Sequence, residues 1–324
     1  MTFPTDGPVA VVTNLQDPTA DLVIAELHDR DVPVVRFDAG DFPATLSCTA
    51  RIGGSAQEWE GSVRTPTRLA GLGAIRSLYY RRPAAFAFPH LDPQDARVAA
   101  AQARYGLGGV LVSLPRCLYV NHPNRIGDAE YKPSGLAAAA ACGFQVPSTL
   151  LTNEPDAARQ FIKAHGRVIH KPISMPTYLV DGIAQTVPVT EVAAEEIGDS
   201  VAGTMHLFQQ RIDKIADVRI TVIGDRVFAV RIDCDLLDWR VDYSTHTYTA
   251  IPVPEHVEHA LFAYLGHFGL VFGAFDFALT GPERAADSWV WIECNPSGQW
   301  AWMEPPTGLP MTAALADLLQ RGAA

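Results

Sequence analysis

Three polar side chains near the C-terminus stand inside segments that are otherwise apolar. Asp276 lies within Phe272-Gly-Ala-Phe-Asp-Phe-Ala-Leu279, and Glu293 and Asn295 within Val290-Trp-Ile-Glu-Cys-Asn-Pro296. Both segments are short, aromatic and β-branched, with Gly, Pro or Asp at their bounds, the pattern of buried strands. Alternation places Asp276 on the face of Ala274 and Ala278, and Phe275 and Phe277 on the other. It places Glu293 with Asn295, opposite Ile292 and Cys294. As antiparallel neighbours, the two strands would present two carboxylates and an amide oxygen together. Hard oxygen ligands suit Mg²⁺, which binds a few protein oxygens plus substrate phosphates, so the set predicts a Mg²⁺-nucleotide site. Singly, each residue reads better as a salt-bridged strand residue or a strand end. Jointly they favour the metal.

A nucleotide site also needs fixed cations. The strand Arg167-Val-Ile-His-Lys-Pro172 carries Lys171 at its end, and a helix containing Tyr131-Lys132 leads through an alanine stretch, Ala137 to Ala141. Two ammonium groups offset polyphosphate charge where water is partly excluded. Asp217-Val-Arg219 starts a strand, Asp225-Arg226 turns, and Val227 to Ile232 returns, a hairpin carrying Arg219 and Arg231. The segment Ile75 to Pro83 ends in Arg81 and Arg82, a candidate clamp for an anion or carboxylate. Asp238 and Arg240 sit in a polar aromatic loop on the expected substrate side. Neither a Walker G-x-x-x-x-G-K-[ST] nor a G-x-G-x-x-G is present, and Gly106-Leu-Gly-Gly109 is too sparse for a phosphate loop.

A strand with Asp beside a strand with Glu-x-Asn resembles the metal-binding core of the ATP-grasp superfamily, whose members couple ATP to carboxylate activation. The run Asn295-Pro-Ser-Gly-Gln-Trp-Ala-Trp302, followed by Thr307-Gly-Leu-Pro-Met311, resembles a narrower group, the microviridin-type peptide ligases or graspetide synthetases, in which a methyltransferase-associated branch exists. So do Tyr79-Tyr-Arg-Arg-Pro83, Arg36-Phe-Asp38 and Asp41-Phe-Pro43. The resemblance covers nearly the whole chain. It implies an α/β (α+β) protein with the ATP-grasp fold behind an N-terminal pre-ATP-grasp α/β domain. The divisions expected are residues 1–120, a central subdomain 121–205 with the phosphate lysines, and a C-terminal subdomain 206–324 with hinge and metal site.

The same resemblance implies ATP contacts at Lys132, Lys171, Gln209, Gln210, Ile212 and Asp217, and two Mg²⁺ ions on Asp276, Glu293 and Asn295. It implies catalytic arginines at Arg219 and Arg231, and substrate contacts at Arg81, Arg82, Asp238 and Arg240. Two positions depart from the pattern. Gln210 stands where an acidic residue is usual, and Ile173-Ser-Met-Pro-Thr-Tyr178 is not glycine-rich. The implied reaction activates a side-chain carboxylate of a ribosomal precursor peptide as an acylphosphate, then joins it to a Thr or Ser hydroxyl or a Lys amine. Asp233, Asp235 and Asp238 are candidates for the proton acceptor by nearness in sequence. A ligase acting on small molecules and a non-catalytic ATP- and peptide-binding scaffold are the alternatives. Monomer and homodimer are not distinguished.

The elements that must position these residues are legible in outline. Pro8 to Thr13 is an apolar run, Asp17 an N-cap before Pro18, and a helix to Arg30 precedes a strand from Val32 to Phe37, a β-α-β opening. A hairpin turning at Gly53-Gly54-Ser55 follows, then a helix over 95–106. Helices are expected over 254–270 and 311–320. The 324 residues, 48% hydrophobic with mean hydropathy +0.06, suit two or three subdomains around a large core. A net charge of −11 argues against coating nucleic acid. No apolar run approaches the roughly 20 residues of a membrane span, and no signal pattern opens the chain, so a cytoplasmic protein without membrane partners is expected. Five cysteines show no C-x-x-C spacing. His256, His259 and His267 read as a polar helix face rather than a metal site.

Overall fold

The computed structural model describes residues 6–174, 177–181, 183–234 and 246–323. The chain opens as β1 (Val9–Val12), α1 (Pro18–Asp29) and β2 (Val34–Phe37). The Asp17 side chain accepts from Ala20 N, with Pro18 at the first helical position. An antiparallel ribbon of β3 (Ser47–Gly53), β4 (Ala56–Arg64) and β5 (Leu69–Gly71) follows. Then β6 (Ser77–Tyr80), α2 (Pro93–Leu111) and β7 (Leu118–Val120) complete a parallel sheet of order β2-β1-β6-β7. α2 runs beyond its expected end, through Gly106, Gly108 and Gly109. The single helix expected around Lys132 is two, α3 (Pro123–Glu130) and α4 (Lys132–Ala141), because Tyr131 between them is extended at φ −70°, ψ 104°.

A second sheet has the order β12-β9-β13-β8, built from β8 (Thr149–Thr152), β9 (Val168–Lys171), β12 (Thr190–Val192) and β13 (His206–Gln210). Between β8 and β9 lies α5 (Pro155–His165), and between β9 and β12 a ribbon of β10 (Thr177–Val180) and β11 (Ile183–Thr186). Thr177 and Tyr178 begin β10. Leu207 pairs with Lys171 and Gln209 with Ile169, so Lys171, Leu207 and Gln209 share one face. Phe208 and Val168 face the other way and pack on Ala158 and Ile162 of α5.

The third sheet is antiparallel, of order β16-β15-β14-β17-β18. Its strands are β14 (Ala216–Ile223), β15 (Arg226–Asp233), β16 (Thr247–Ala250), β17 (Phe272–Leu279) and β18 (Trp289–Asn295), with α6 (Glu255–Phe268) crossing between β16 and β17. Every residue of β14 and β17 is buried, as their near-continuous apolar runs require. One face, with Ile220, Phe275, Phe277 and Trp291, packs on Leu261 and Tyr264 of α6 and Ala139 of α4. The other, with Ile223, Val230 and Ala274, packs on Trp300, Met303 and the last helix. A single-turn α7 (Glu304–Thr307) leads into that helix, α8 (Met311–Arg321), which lies against α1 and β6. Each of these large apolar side chains contributes about 1.5–3 kcal/mol when fully buried. Among the described residues no helix is long and apolar enough to cross a membrane.

Candidate active site

Register decides what meets. Asp276 on β17 pairs with Glu293 on β18 and, on its other side, with Arg219 on β14; Ala274 pairs with Asn295. Directly paired residues share a face, so Arg219, Asp276 and Glu293 form a row across three strands, with Asn295 two residues on from Glu293. A bulge shifts the register between Asp276 and Phe277, leaving Ile292 as the extra residue. The simple alternation expected for β18 therefore holds only from Glu293 onward, and Ile292 lines the same cavity as Glu293.

Glu293 gathers cations from two other elements. Lys132 Nζ at the start of α4 lies 3.1 Å from Glu293 Oε2, and Lys171 Nζ at the end of β9 lies 3.9 Å from the same oxygen. Asn295 Nδ2 donates to Glu293 Oε1 at 3.3 Å. The Glu293 and Lys171 side chains are only 9% and 8% exposed, so their charges act in a medium far less screening than water. Arg219 donates from Nη1 to Asp276 Oδ1 at 2.8 Å and from Nη2 to the Gln299 carbonyl at 3.0 Å. The approach depends on Gly298, where a Cβ would stand 2.6 Å from Arg219 Nη2 and 2.5 Å from Ala274 Cβ. Cys294, between the two ligand candidates, is not a nucleophile. Burial above all, with Arg219 pulling the other way, raises its thiol far above the ordinary range.

Beside the Arg219–Asp276 pair lies a cavity of about 230 Å³, to which Arg82, Lys132, Lys171, Gln209, Glu293, Asn295 and Gly298 contribute. Two carboxylates in register with an amide oxygen beside them form a donor set that fits Mg²⁺. Lys132 and Lys171, beside Glu293, suit phosphates. Among the described residues no group of three or more His, Cys, Asp or Glu gathers. His256, His259 and His267 are exposed on α6.

No family model matches this chain, and no curated protein does. Solved structures do. The Chryseobacterium gregarium RiPP-associated ATP-grasp ligase, in complex with ADP and a leader and core peptide, superposes with a TM-score of 0.87 over 98% of this chain and 99% of that one, at 23% identity. The macrocyclase MdnC from Microcystis aeruginosa MRC, bound with precursor peptide MdnA, gives 0.84 over 96% and 99%, at 24% identity. The macrocyclase MdnB from the same organism gives 0.80 over 97% and 99%, at 26% identity. The chain has the ATP-grasp ligase fold.

Within that fold the expected site residues separate into those the structure brings together and those it does not. Asp276, Glu293, Asn295, Arg219, Lys132 and Lys171 converge as described. Gln209 is buried, donates from Nε2 to Thr149 Oγ1 at 2.9 Å and lines the cavity. Gln210 alternates to the opposite face of β13, its N–H bonded to the Ser148 carbonyl at 2.8 Å. Neither it nor Ile212, in the turn beyond, lines the cavity. Asp217 also stays outside, its carboxylate 2.5 Å from Lys214 Nζ.

Arg231 is a correction. It pairs with Val218, on the face opposite Arg219, and binds Asp233 Oδ1 at 2.8 Å and Glu283 Oε1 at 3.0 Å. That engagement holds the Asp233 carboxylate beside Arg231. Arg81 is buried against Asp17 at 2.7 Å and bonded to Tyr79 Oη and Gln299 Oε1, and it lines the cavity from that fixed position. Its neighbour Arg82 is exposed at the cavity, and its guanidinium makes no hydrogen bond or ion pair among the described residues. Burial, then the Arg81 and Arg219 charges, lower its guanidinium pKa, as suits a cation awaiting an anion. Asp238 and Arg240, and Asp235 with them, lie outside the described residues.

Sequence reasoning passed over Asn121, Glu130 and Gln299. Asn121, buried, donates to the carbonyls of Phe272 and Pro296 at 2.8 Å each and accepts from the amides of Val271 and Phe272. A lone Asn between an apolar strand and His-Pro was the available signal.

Proposed function

We propose that this protein is an ATP-dependent peptide ligase that activates Asp or Glu side chains of a ribosomal precursor peptide and joins them to Thr or Ser hydroxyls or Lys amines. The observation that carries this is the row Arg219–Asp276–Glu293 with Lys132 and Lys171 both drawn to Glu293. The likeness to MdnC with its bound precursor and to the Chryseobacterium ligase with ADP, leader and core supports a peptide as substrate.

Phosphoryl transfer asks chiefly for positioning and charge neutralisation. The substrate carboxylate attacks the γ-phosphorus of ATP, the bond to ADP breaks, and an acylphosphate forms. Lys132 and Lys171 hold phosphate oxygens, and Gln209 borders the nucleotide. Mg²⁺, held by Asp276, Glu293 and Asn295, would supply charge neutralisation at the phosphates. Arg82 engages the peptide carboxylate before transfer. Arg219, fixed by Asp276 and the Gln299 carbonyl, places a positive charge where the oxyanion of the second step develops. ATP supply places such a ligase in the cytoplasm.

The test is incubation with ATP, Mg²⁺ and Thr/Glu/Asp-rich precursor peptides, read by peptide mass and nucleotide product. Loss of one water mass per bond together with ADP is expected, and mild base separates esters from amides. ADP formed only with free amino acids would replace this reading with a small-molecule ligase, and ATP binding without any turnover with a scaffold.

A further inference from the structure

A second cavity, about 560 Å³, opens between α2, α3 and the ends of β1 and β6. It adjoins the first, and Arg81, Glu130 and Ser297 line both. Phe86, Leu111 and Ile126 contribute apolar wall. Its two helices present Gly108, Gly109 and Gly127, and a Cβ on any of them would meet nothing within 4 Å. Helix-interior glycine is less favourable than alanine by about 1 kcal/mol, and no contact within the free protein requires it here. The vacant volume is open to something that enters from outside.

Glu130 closes α3 at the junction of the two cavities. Only it and Glu293 bring carboxylates to the first cavity among the described residues. Glu293 is committed to Lys132, Lys171 and Asn295. The Glu130 carboxylate makes no hydrogen bond or ion pair among the described residues. Tyr80 and Arg104 face it from β6 and α2, and Arg81, Arg82 and Lys132 line the cavity beside it.

We propose that the acceptor-bearing segment of the peptide reaches the acylphosphate through this second cavity, and that the Glu130 carboxylate takes the acceptor's proton in the bond-forming step. The inference rests on the ligase reading above. In that step the acceptor oxygen or nitrogen bonds to the acyl carbon, and the carbon–oxygen bond to phosphate breaks. Phosphate departs with the electron pair, and the proton passes to Glu130 and then to the solvent that reaches it. The packed atoms around Glu130 raise its carboxyl above the ordinary Glu range, which strengthens it as a base.

The experiment compares wild type, Glu130→Gln and Gly109→Leu on a precursor that the wild type cyclises. Ring formation is read by mass, and the acylphosphate is trapped with hydroxylamine, a nucleophile that needs no base. Glu130→Gln is expected to lower ring formation by about 10²- to 10⁴-fold while hydroxamate yield stays within about threefold. Gly109→Leu, which keeps a helix former, is expected to raise the peptide KM about tenfold and leave the ATP KM unchanged, because it fills the route rather than the nucleotide site. Unchanged ring formation in Glu130→Gln, or parallel loss of hydroxamate, overturns the role of Glu130. An unchanged peptide KM in Gly109→Leu overturns the route. If wild type forms neither hydroxamate nor ADP with any precursor, the ligase reading itself has failed.

Discussion

Glu293 draws cations from two separate elements, and its substitution separates chemistry from binding. Gln keeps the shape but leaves Lys132 and Lys171 facing each other without the carboxylate that now draws both, and it weakens the Mg²⁺ donor set. Glu293→Gln is expected to lower ADP release and ring formation at least ~100-fold, of the order that removing one preorganised electrostatic group brings. Peptide affinity, measured by calorimetry, should stay near wild type; turnover at the wild-type rate would exclude Glu293 from the chemistry. The Asp17–Arg81 pair acts on the fold instead. Burial opposes Asp17 ionisation, but hydrogen bonding and charge from Arg81, with help from Thr13, outweigh it and hold the carboxyl below its ordinary value of 3.8. Its contribution to stability is complete above that value and is lost as pH falls through the lower folded value. Arg81→Ala should destabilise by about 3–5 kcal/mol, since it strands a buried charge. Asp17→Asn should lower Tm at neutral pH and flatten the acid limb of the Tm–pH curve; an unchanged acid limb would mean another carboxylate dominates it. Nothing in Tyr-Arg-Arg-Pro distinguishes Arg81 from Arg82, because the aspartate that claims Arg81 lies on α1 and is brought near only by the sheet.

At the scale of elements, the sequence was most legible where one period ran unbroken. The β-α-β opening, the β14–β15 hairpin and the two acidic strands follow from alternation and capping alone, and with them came Asp276, Glu293, Asn295 and Lys171. The failures lie where tertiary contacts override a local rule. Ile292 breaks the alternation of β18 because a bulge is a property of two paired strands. The helix expected over 95–106 runs on to Leu111, because Leu107 and Leu111, buried in the N-terminal core, hold it to its final turn. Arg231 failed for a plainer reason, one residue of parity from Val230, the actual partner of Arg219. Gly106 offers a check on this account, since it lies inside α2, meets nothing with an added Cβ and does not line the second cavity. Gly106→Ala should raise stability by about 0.5–1 kcal/mol in urea unfolding with ring formation unchanged. Gly298→Ala should do the reverse. Its Cβ has no room beside Arg219 and Ala274, so about 1–3 kcal/mol of overpacking should accompany a fall in kcat through displacement of Arg219.

The whole molecule works only if the parallel N-terminal sheet and the acidic sheet keep their relation, because Arg82 comes from the end of one and Glu293 from the other. Two devices hold them. The end of α8 is caught by the first sheet, where Arg76 Nη1 and Ser77 Oγ bind the carbonyls of Gln320 and Leu319 at 2.9 and 2.8 Å. On the opposite side Asn121, just beyond β7, spends both donors and two acceptor positions on the entry to β17 and on the Pro296 turn after β18. One amide thus fixes the ends of both strands that carry Asp276 and Glu293. Alanine there leaves two buried amides and two carbonyls without that partner, at about 1–3 kcal/mol for each group that water does not reach. Aspartate should be worse than alanine, since it places an acceptor against the Phe272 and Pro296 carbonyls where a donor stood. The expected order of urea midpoints is wild type, then Asn121→Ala, then Asn121→Asp, with kcat falling more than ATP affinity because the acidic row moves while the lysines on α4 and β9 stay. If Asn121→Asp matched wild type in midpoint and kcat, the two strands would be held by their own sheet alone, and the geometry that joins Arg82 to Glu293 would have to come from α8.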